Sequence, residues 1–271
     1  MTITNSPLDL TDYPEADGKP MTESDATRDY LIYCVEVLRI FFQSRRNVYV
    51  SGNLCIYYRQ GDPKAVVSPD VFVVFGVPKH KRRSYQVWKE GGKLPSFVLE
   101  ITSRTTRRED EVEKPKLYAQ LGVQEYFQYD PTGDYLNPQL KGFRLVEGTY
   151  QAISPQTINN DLLSIHSQTL GLDLQLQETP DTDITETSRS ARPMRFYDPQ
   201  TGETLLDYQE LEDARQQAEQ ARLAETQARL EAEQARLDAI PRLLEMGLTV
   251  EQVAEALALP VEDVRQTHPN P

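Results

Sequence analysis

Apolar residues recur at Tyr30, Leu31, Cys34, Val35, Leu38, Phe41 and Phe42, at spacings of three and four, and predict an amphipathic helix over 24–43. Ser24 or Asp25 stands where its N-cap belongs. Beyond it the period changes. Short runs rich in β-branched and aromatic residues follow: NVYVSGNLCIYY, AVVSPDVFVVF, SFVLEIT, EYFQYDP and FRLVEGTYQAI. Turn residues part them (Ser51-Gly52, Asp62-Pro63, Gly91-Gly92, Pro131-Thr132-Gly133), as expected for strands of one sheet. A further helical segment, 109–121, lies between SFVLEIT and EYFQYDP. Helix, strands, helix and more strands make a mixed α/β pattern about a single sheet. Residues 23–177 suffice to bury a core and form the expected main domain.

The flanks read differently. Residues 1–22 carry no such pattern and are expected to be a flexible lead. From 178 to 206 the periodicity is missing again, which marks a linker with room for a small hairpin about Asp198-Pro199-Gln200-Thr201-Gly202. In 207–240, Gln-Ala-Arg-Leu recurs at 220–223, 227–230 and 234–237, a period of seven that aligns Leu223, Leu230 and Leu237. One leucine per heptad is a thin seam. A coiled coil, making the protein a homo-oligomer such as a dimer, and a solvated single helix supported by pairs such as Glu225–Arg229 both fit it. Pro241 is expected to end this helix. Residues 241–271 resemble a helix-turn-helix cap, with a stop at Gly247 and a capping box of Thr249 and Gln252. Glu251, Glu255, Glu262 and Asp263 face one Arg265 there, which suits contact with protein better than reading of DNA.

Charge changes the picture once it is divided. The 271 residues carry a net charge of −13, yet residues 1–177 hold 20 Lys and Arg against 22 Asp and Glu. The acidity sits in 178–271, with 9 Arg and no Lys against 20 Asp and Glu. Within 79–116, 11 basic residues meet 6 acidic ones, a local excess able to attract a polyanion because screening limits each charge's reach to ~10 Å. A solvated loop is the plainer reading of the same charges. No run approaches the ~18 apolar residues of a membrane helix, so no membrane partner is expected. The first residues have neither a basic head nor an apolar core, and the expected location is cytoplasmic. Cys34 and Cys55 lie among apolar residues and read as buried thiols, while His80, His166 and His268 are too scattered for a zinc or triad site.

Two acidic residues interrupt apolar runs: Asp70 follows Pro69 within AVVSPDVFVVF, and Glu100 closes SFVLE. A carboxylate in a buried strand is costly unless it is paired or binds a cation. Two on neighbouring strands can share one divalent metal, with Mg²⁺ favouring such oxygen ligands. Two strand-end residues facing solvent would show the same spacing. Lys114 falls on the helical stripe of Leu117, Tyr118 and Leu121, where a lysine is expected to snorkel, pair with acid or work in a site, and Asp110 shares its face at i−4. Pro115 means that the helix either starts near Glu113 or is kinked there.

With these residues the chain resembles the Uma-type restriction-endonuclease family, a branch of the PD-(D/E)XK nuclease superfamily. Pro69-Asp70, Glu100 with Ser103 three residues on, Asp110, Lys114 before Leu117-Tyr118, Gly122-Val123, Glu125-Tyr126 and Asp130-Pro131 carry the likeness, over residues 25–175. It implies a restriction-endonuclease-like mixed sheet flanked by helices, here followed by a long helical extension. It also implies Mg²⁺-dependent hydrolysis of DNA phosphodiesters, with Mn²⁺ as a substitute. By resemblance, Asp70, Glu100 and the backbone carbonyl of Ile101 are metal ligands and Lys114 is the catalytic lysine. Thr102 occupies the lysine position of the superfamily's usual E-x-K, so the lysine is displaced onto the following helix. Glu36, Ser103 and Asp110 are accessory candidates, and Glu125 fits a structural role equally well. Lys79, Lys81, Arg82, Arg83, Arg104, Arg107 and Arg108 are the expected contacts to DNA phosphates. The alternative is a nuclease fold without catalysis that binds DNA or protein and oligomerises through its tail.

Overall fold

A computed structural model of the protein describes residues 13–14, 24–102, 109–134, 136–158, 162–177 and 192–267. The chain forms two compact units, Met1–Tyr208 and Gln209–Pro271.

The first unit begins with helix α1 (Asp25–Phe41), whose N-cap Ser24 accepts the Thr27 N–H. The stripe read from the sequence is its buried face, with Cys34 and Leu38 wholly enclosed. Then come β1 (Val48–Ser51), β2 (Ile56–Tyr57), β3 (Val66–Val67), β4 (Val71–Phe75), β5 (Tyr85–Gln86) and β6 (Phe97–Ile101). A π-helical turn, Glu109–Glu113, leads into α2 (Lys114–Leu121). Pro115 lies in the first turn of α2, which begins at Lys114 directly after the π-helical turn, and its missing N–H is tolerated there. Gly122 ends it at φ 77°, a left-handed conformation that glycine adopts without strain. Strands β7 (Glu125–Tyr129), β8 (Leu140–Val146), β9 (Thr149–Ala152), β10 (Gln156–Ile158), β11 (Leu162–Ser167), β12 (Leu172–Leu176), β13 (Met194–Asp198) and β14 (Glu203–Thr204) follow.

Among the described residues these strands build three sheets where the sequence suggested one. The central sheet runs β1-β4-β6-β7-β8-β9, with β6 and β7 parallel and its other pairs antiparallel. A second, antiparallel sheet runs β10-β11-β12-β13-β14, and a small one runs β3-β2-β5. One face of the central sheet packs Val71, Val73, Phe97, Leu99 and Phe127 against α1 and against Leu172, Leu174 and Phe196 of the second sheet. The other packs Phe72, Val98 and Tyr126 against Tyr85 and against Tyr118 of α2. Both faces of β4 and β6 are therefore buried, which is why their sequences read as unbroken apolar runs.

One boundary differs from the sequence reading. The hairpin about 198–202 forms, but β13 pairs with β12, so it belongs to the first unit. Tyr13 of the expected lead packs against Tyr57 and Trp88, with ring centroids 5.0 Å apart in each case. The next residue, Pro14, accepts the Tyr57 hydroxyl.

The second unit contains almost all of α3 (Tyr208–Glu245), with α4 (Val250–Leu257) and α5 (Val261–Thr267). Helix α3 continues past Pro241, contrary to expectation. The proline removes one hydrogen bond, but Ile240, Leu243 and Leu244 pack with Val253, Ala254 and Val264, which offsets the loss. The Thr249–Gln252 capping box is present. Leu223 and Leu230 are exposed along α3. No described helix is long and apolar enough to cross a membrane.

Candidate active site

The antiparallel register of β4 and β6 pairs Val71 with Leu99, and one step further it sets Asp70 opposite Glu100. Side chains alternate along β6: Phe97, Leu99 and Ile101 enter the α1 core, and Val98 enters the α2 core. Glu100 therefore projects toward α2. The two acidic residues are bound by reciprocal main-chain contacts. The Ile101 N–H donates to Asp70 Oδ2 at 2.8 Å, and the Asp70 N–H points at Glu100 Oε2 at 3.4 Å.

Glu100 is 0% exposed, which would be costly for a lone carboxylate. Helix α2 compensates it. Lys114 Nζ donates to Oε2 at 2.8 Å, and the Tyr118 hydroxyl donates to Oε1 at 2.6 Å. Lys114 and Tyr118 stand one helical turn apart on the same face, so a single helix holds both carboxylate oxygens. Burial, followed by the Glu100 charge, pushes the Tyr118 phenol well above its ordinary range, so it remains a proton donor. Burial and then Asp70 likewise push the Cys34 thiol up, which keeps it protonated and unreactive.

A close approach fixes Asp70 from behind. Gly52 passes so near that a Cβ would lie 2.2 Å from Asp70 O and 2.8 Å from Val35 Cγ2. The neighbouring Asn53, at φ 45°, donates its N–H to Pro69 O at 3.1 Å. Only glycine fits at 52, and the sequence showed nothing more there than a turn. Tyr118 was visible as part of a stripe, though not as the partner of Glu100.

Asp70, Glu100 and Lys114 thus converge, and Ile101 joins them through its N–H. Ser103, Arg104, Arg107 and Arg108 lie outside the described residues, as does the side chain of Asp110. Glu36 is engaged elsewhere, its Oε1 accepting the Tyr208 N–H at 3.2 Å. Thr102, at the E-x-K lysine position, is buried, and its Oγ1 has no hydrogen-bond partner among the described residues. The basic segment is partly spent on structure. Lys79 Nζ donates to Phe42 O and Gln43 O at the end of α1. Arg82 pairs with Glu90 at 2.7 Å and lies over the Tyr49 ring, while Lys81 and Arg83 are exposed.

The later motifs hold the scaffold. Glu125, 0% exposed, accepts from Arg144, the Ser167 hydroxyl and the N–H groups of Gln168 and Thr169. It thereby ties β7 to the turn between β11 and β12. Asp130, equally buried, accepts the N–H groups of Thr132, Gly133 and Leu136. Both carboxylates are satisfied, Glu125 by arginine, hydroxyl and backbone donors and Asp130 by backbone and hydroxyl donors.

The family described as "Putative restriction endonuclease" (Uma2) matches residues 15–177. The chain belongs to this family. The Uma2 match spans α1 through β12 and contains every residue of the converging site. Among solved structures, a protein of Anabaena variabilis ATCC 29413, titled a putative nuclease belonging to DUF820, is 14% identical. It aligns over 52% of this chain and 75% of its own at a TM-score of 0.37. No curated protein matches.

For a divalent metal, the donor set is two carboxylates at facing strand ends. Among the described residues no third His, Cys, Asp or Glu joins them in a cluster. Hard oxygen donors completed by carbonyl, water and phosphate are the set that Mg²⁺ accepts. The residues fit such an ion.

Proposed function

We propose that the first unit is a Mg²⁺-dependent DNA endonuclease whose centre is Asp70, Glu100 and Lys114. One observation carries this reading: a carboxylate with no solvent exposure holds a lysine at 2.8 Å, opposite a second carboxylate that keeps partial exposure. A purely structural ion pair does not call for the second carboxylate.

Asp70, Glu100 and the Ile101 carbonyl would hold the ion, which when bound supplies Lewis-acid polarisation of the phosphate and a more acidic water. The chain's own groups do the rest. The Lys114 ammonium sets a fixed positive charge where negative charge grows on the phosphoryl oxygens, and its N–H bonds orient the attacking water. The Tyr118 phenol, held protonated, fixes the Glu100 carboxylate so that the site needs little reorganisation during reaction. Lys81 and Arg83 are exposed for contact with flanking phosphates.

Incubation of the purified protein with supercoiled and linear DNA in Mg²⁺, Mn²⁺ or EDTA tests this. Cutting in either metal and none in EDTA is expected. DNA binding without cutting in any condition would instead make it a nuclease fold that only binds.

A further inference from the structure

Next to Glu100, on the α2 face of the central sheet, lies a cavity of about 420 Å³. The register fixes its place. Glu100 pairs with Gln128 of β7, and Gln128 pairs with Lys141 of β8, so the three side chains form one row across the sheet. At ~4.8 Å per strand, the Lys141 backbone stands about 10 Å from that of Glu100. Pro115, the residue after Lys114, lines the same cavity, which therefore neighbours the site.

Lys141 is half-buried, and its side chain makes no hydrogen bond or ion pair among the described residues. Glu111, the one carboxylate among the described residues of the cavity wall, is exposed, and Lys141 makes no ion pair with it. Gln128 is buried and donates from Nε2 to the Tyr126 hydroxyl at 3.1 Å, so its amide is spent in part on the wall. Phe143 and Tyr150 complete the apolar side, and the Tyr150 hydroxyl is occupied by Val123 O. A half-buried lysine whose ammonium makes no ion pair among the described residues is the group here best suited to receive an anion. A lysine offers a point charge to a phosphate and lacks the fork that reads a base edge.

We propose that this cavity is a subsite for a phosphate of the substrate strand next to the scissile one, with Lys141 Nζ as its cationic partner. The inference rests on the nuclease reading of the site. A backbone contact of this kind adds affinity and salt dependence and leaves sequence preference unchanged.

Binding and cleavage of a short DNA duplex, measured over a salt series for the full-length protein and its Lys141→Met and Lys141→Arg variants, test it. Lys141→Met should bind about tenfold more weakly at low salt, the scale of one lost charge-assisted hydrogen bond. The slope of log K against log salt should fall by about 0.9, one phosphate's worth, and the loss of activity should appear in KM. Lys141→Arg should restore both. Lys141→Gln gives the same reading if the methionine variant loses its fold. Wild-type affinity and slope in folded Lys141→Met or Lys141→Gln overturn the subsite alone, provided that the unmodified protein cuts. If the unmodified protein neither binds nor cuts DNA, the nuclease reading and the subsite fall together.

Discussion

Lys114 Nζ lies 2.8 Å from Glu100 Oε2, and this contact ties α2 to β6. Glu100 is wholly buried while the lysine side chain keeps 17% exposure, so the pair stands at the edge between core and surface. Breaking it from the lysine side leaves an uncompensated charge in the core.

Lys114→Met should therefore cost about 3–5 kcal/mol in urea unfolding of the first unit, as well as its activity. Adding Glu100→Gln to Lys114→Met should recover most of that stability and none of the cleavage. Equal stability of the single and double variants would mean that the carboxylate carries no charge that needs Lys114.

Tyr118 gives the site a pH signature. Its folded pKa lies well above the ordinary 10.0, so the folded protein keeps a proton that the unfolded chain releases. Its contribution is whole below pH 10 and is lost as the pH rises from there toward the folded value. Tyr118→Phe should lower stability at pH 7 by about 1–3 kcal/mol, the scale for an unsatisfied buried acceptor. It should also flatten the decline above pH 10 by up to one proton's share, about 1.4 kcal/mol per pH unit. An alkaline slope equal to that of the wild type, measured by unfolding at several pH values, would show that this phenol does not titrate with folding.

Gly52→Ala should disturb Asp70 without touching any charged group. The new Cβ would meet Asp70 O at 2.2 Å, so one of the two segments must move. A stability loss of about 1–3 kcal/mol, the usual scale of overpacking, is expected, together with a loss of cleavage. A variant as stable and as active as the wild type would mean that the 51–53 turn yields freely.

How much of this was legible in the sequence follows from where each constraint resides. The α1 stripe and the apolar runs of β4 and β6 are local periodicities, and Asp70 and Glu100 stood out because charge interrupted them. Lys114 could be placed because α2 puts it on the stripe of Tyr118. Gly52 could not, since the atom that forbids a side chain there belongs to Asp70, eighteen positions later in the chain. Counting charge in 79–116 overstated the free cations, because a count does not show that Lys79 closes the end of α1 or that Arg82 is bound to Glu90. Strand partners were equally hidden: β13 looked like linker because its pairing with β12 spans residues without apolar period. Pro241 followed a sound local rule that tertiary packing of Ile240 overrides.

The most direct measurement is the rate at which pure, folded Asp70→Asn and Glu100→Gln proteins nick supercoiled DNA in Mg²⁺, beside the wild type. Both should melt as cooperatively as the wild type and nick about 10²-fold more slowly or worse, the scale for losing a group that stabilises the transition state. Nicking by either variant at the wild-type rate would contradict the assignment of the centre to this pair of carboxylates.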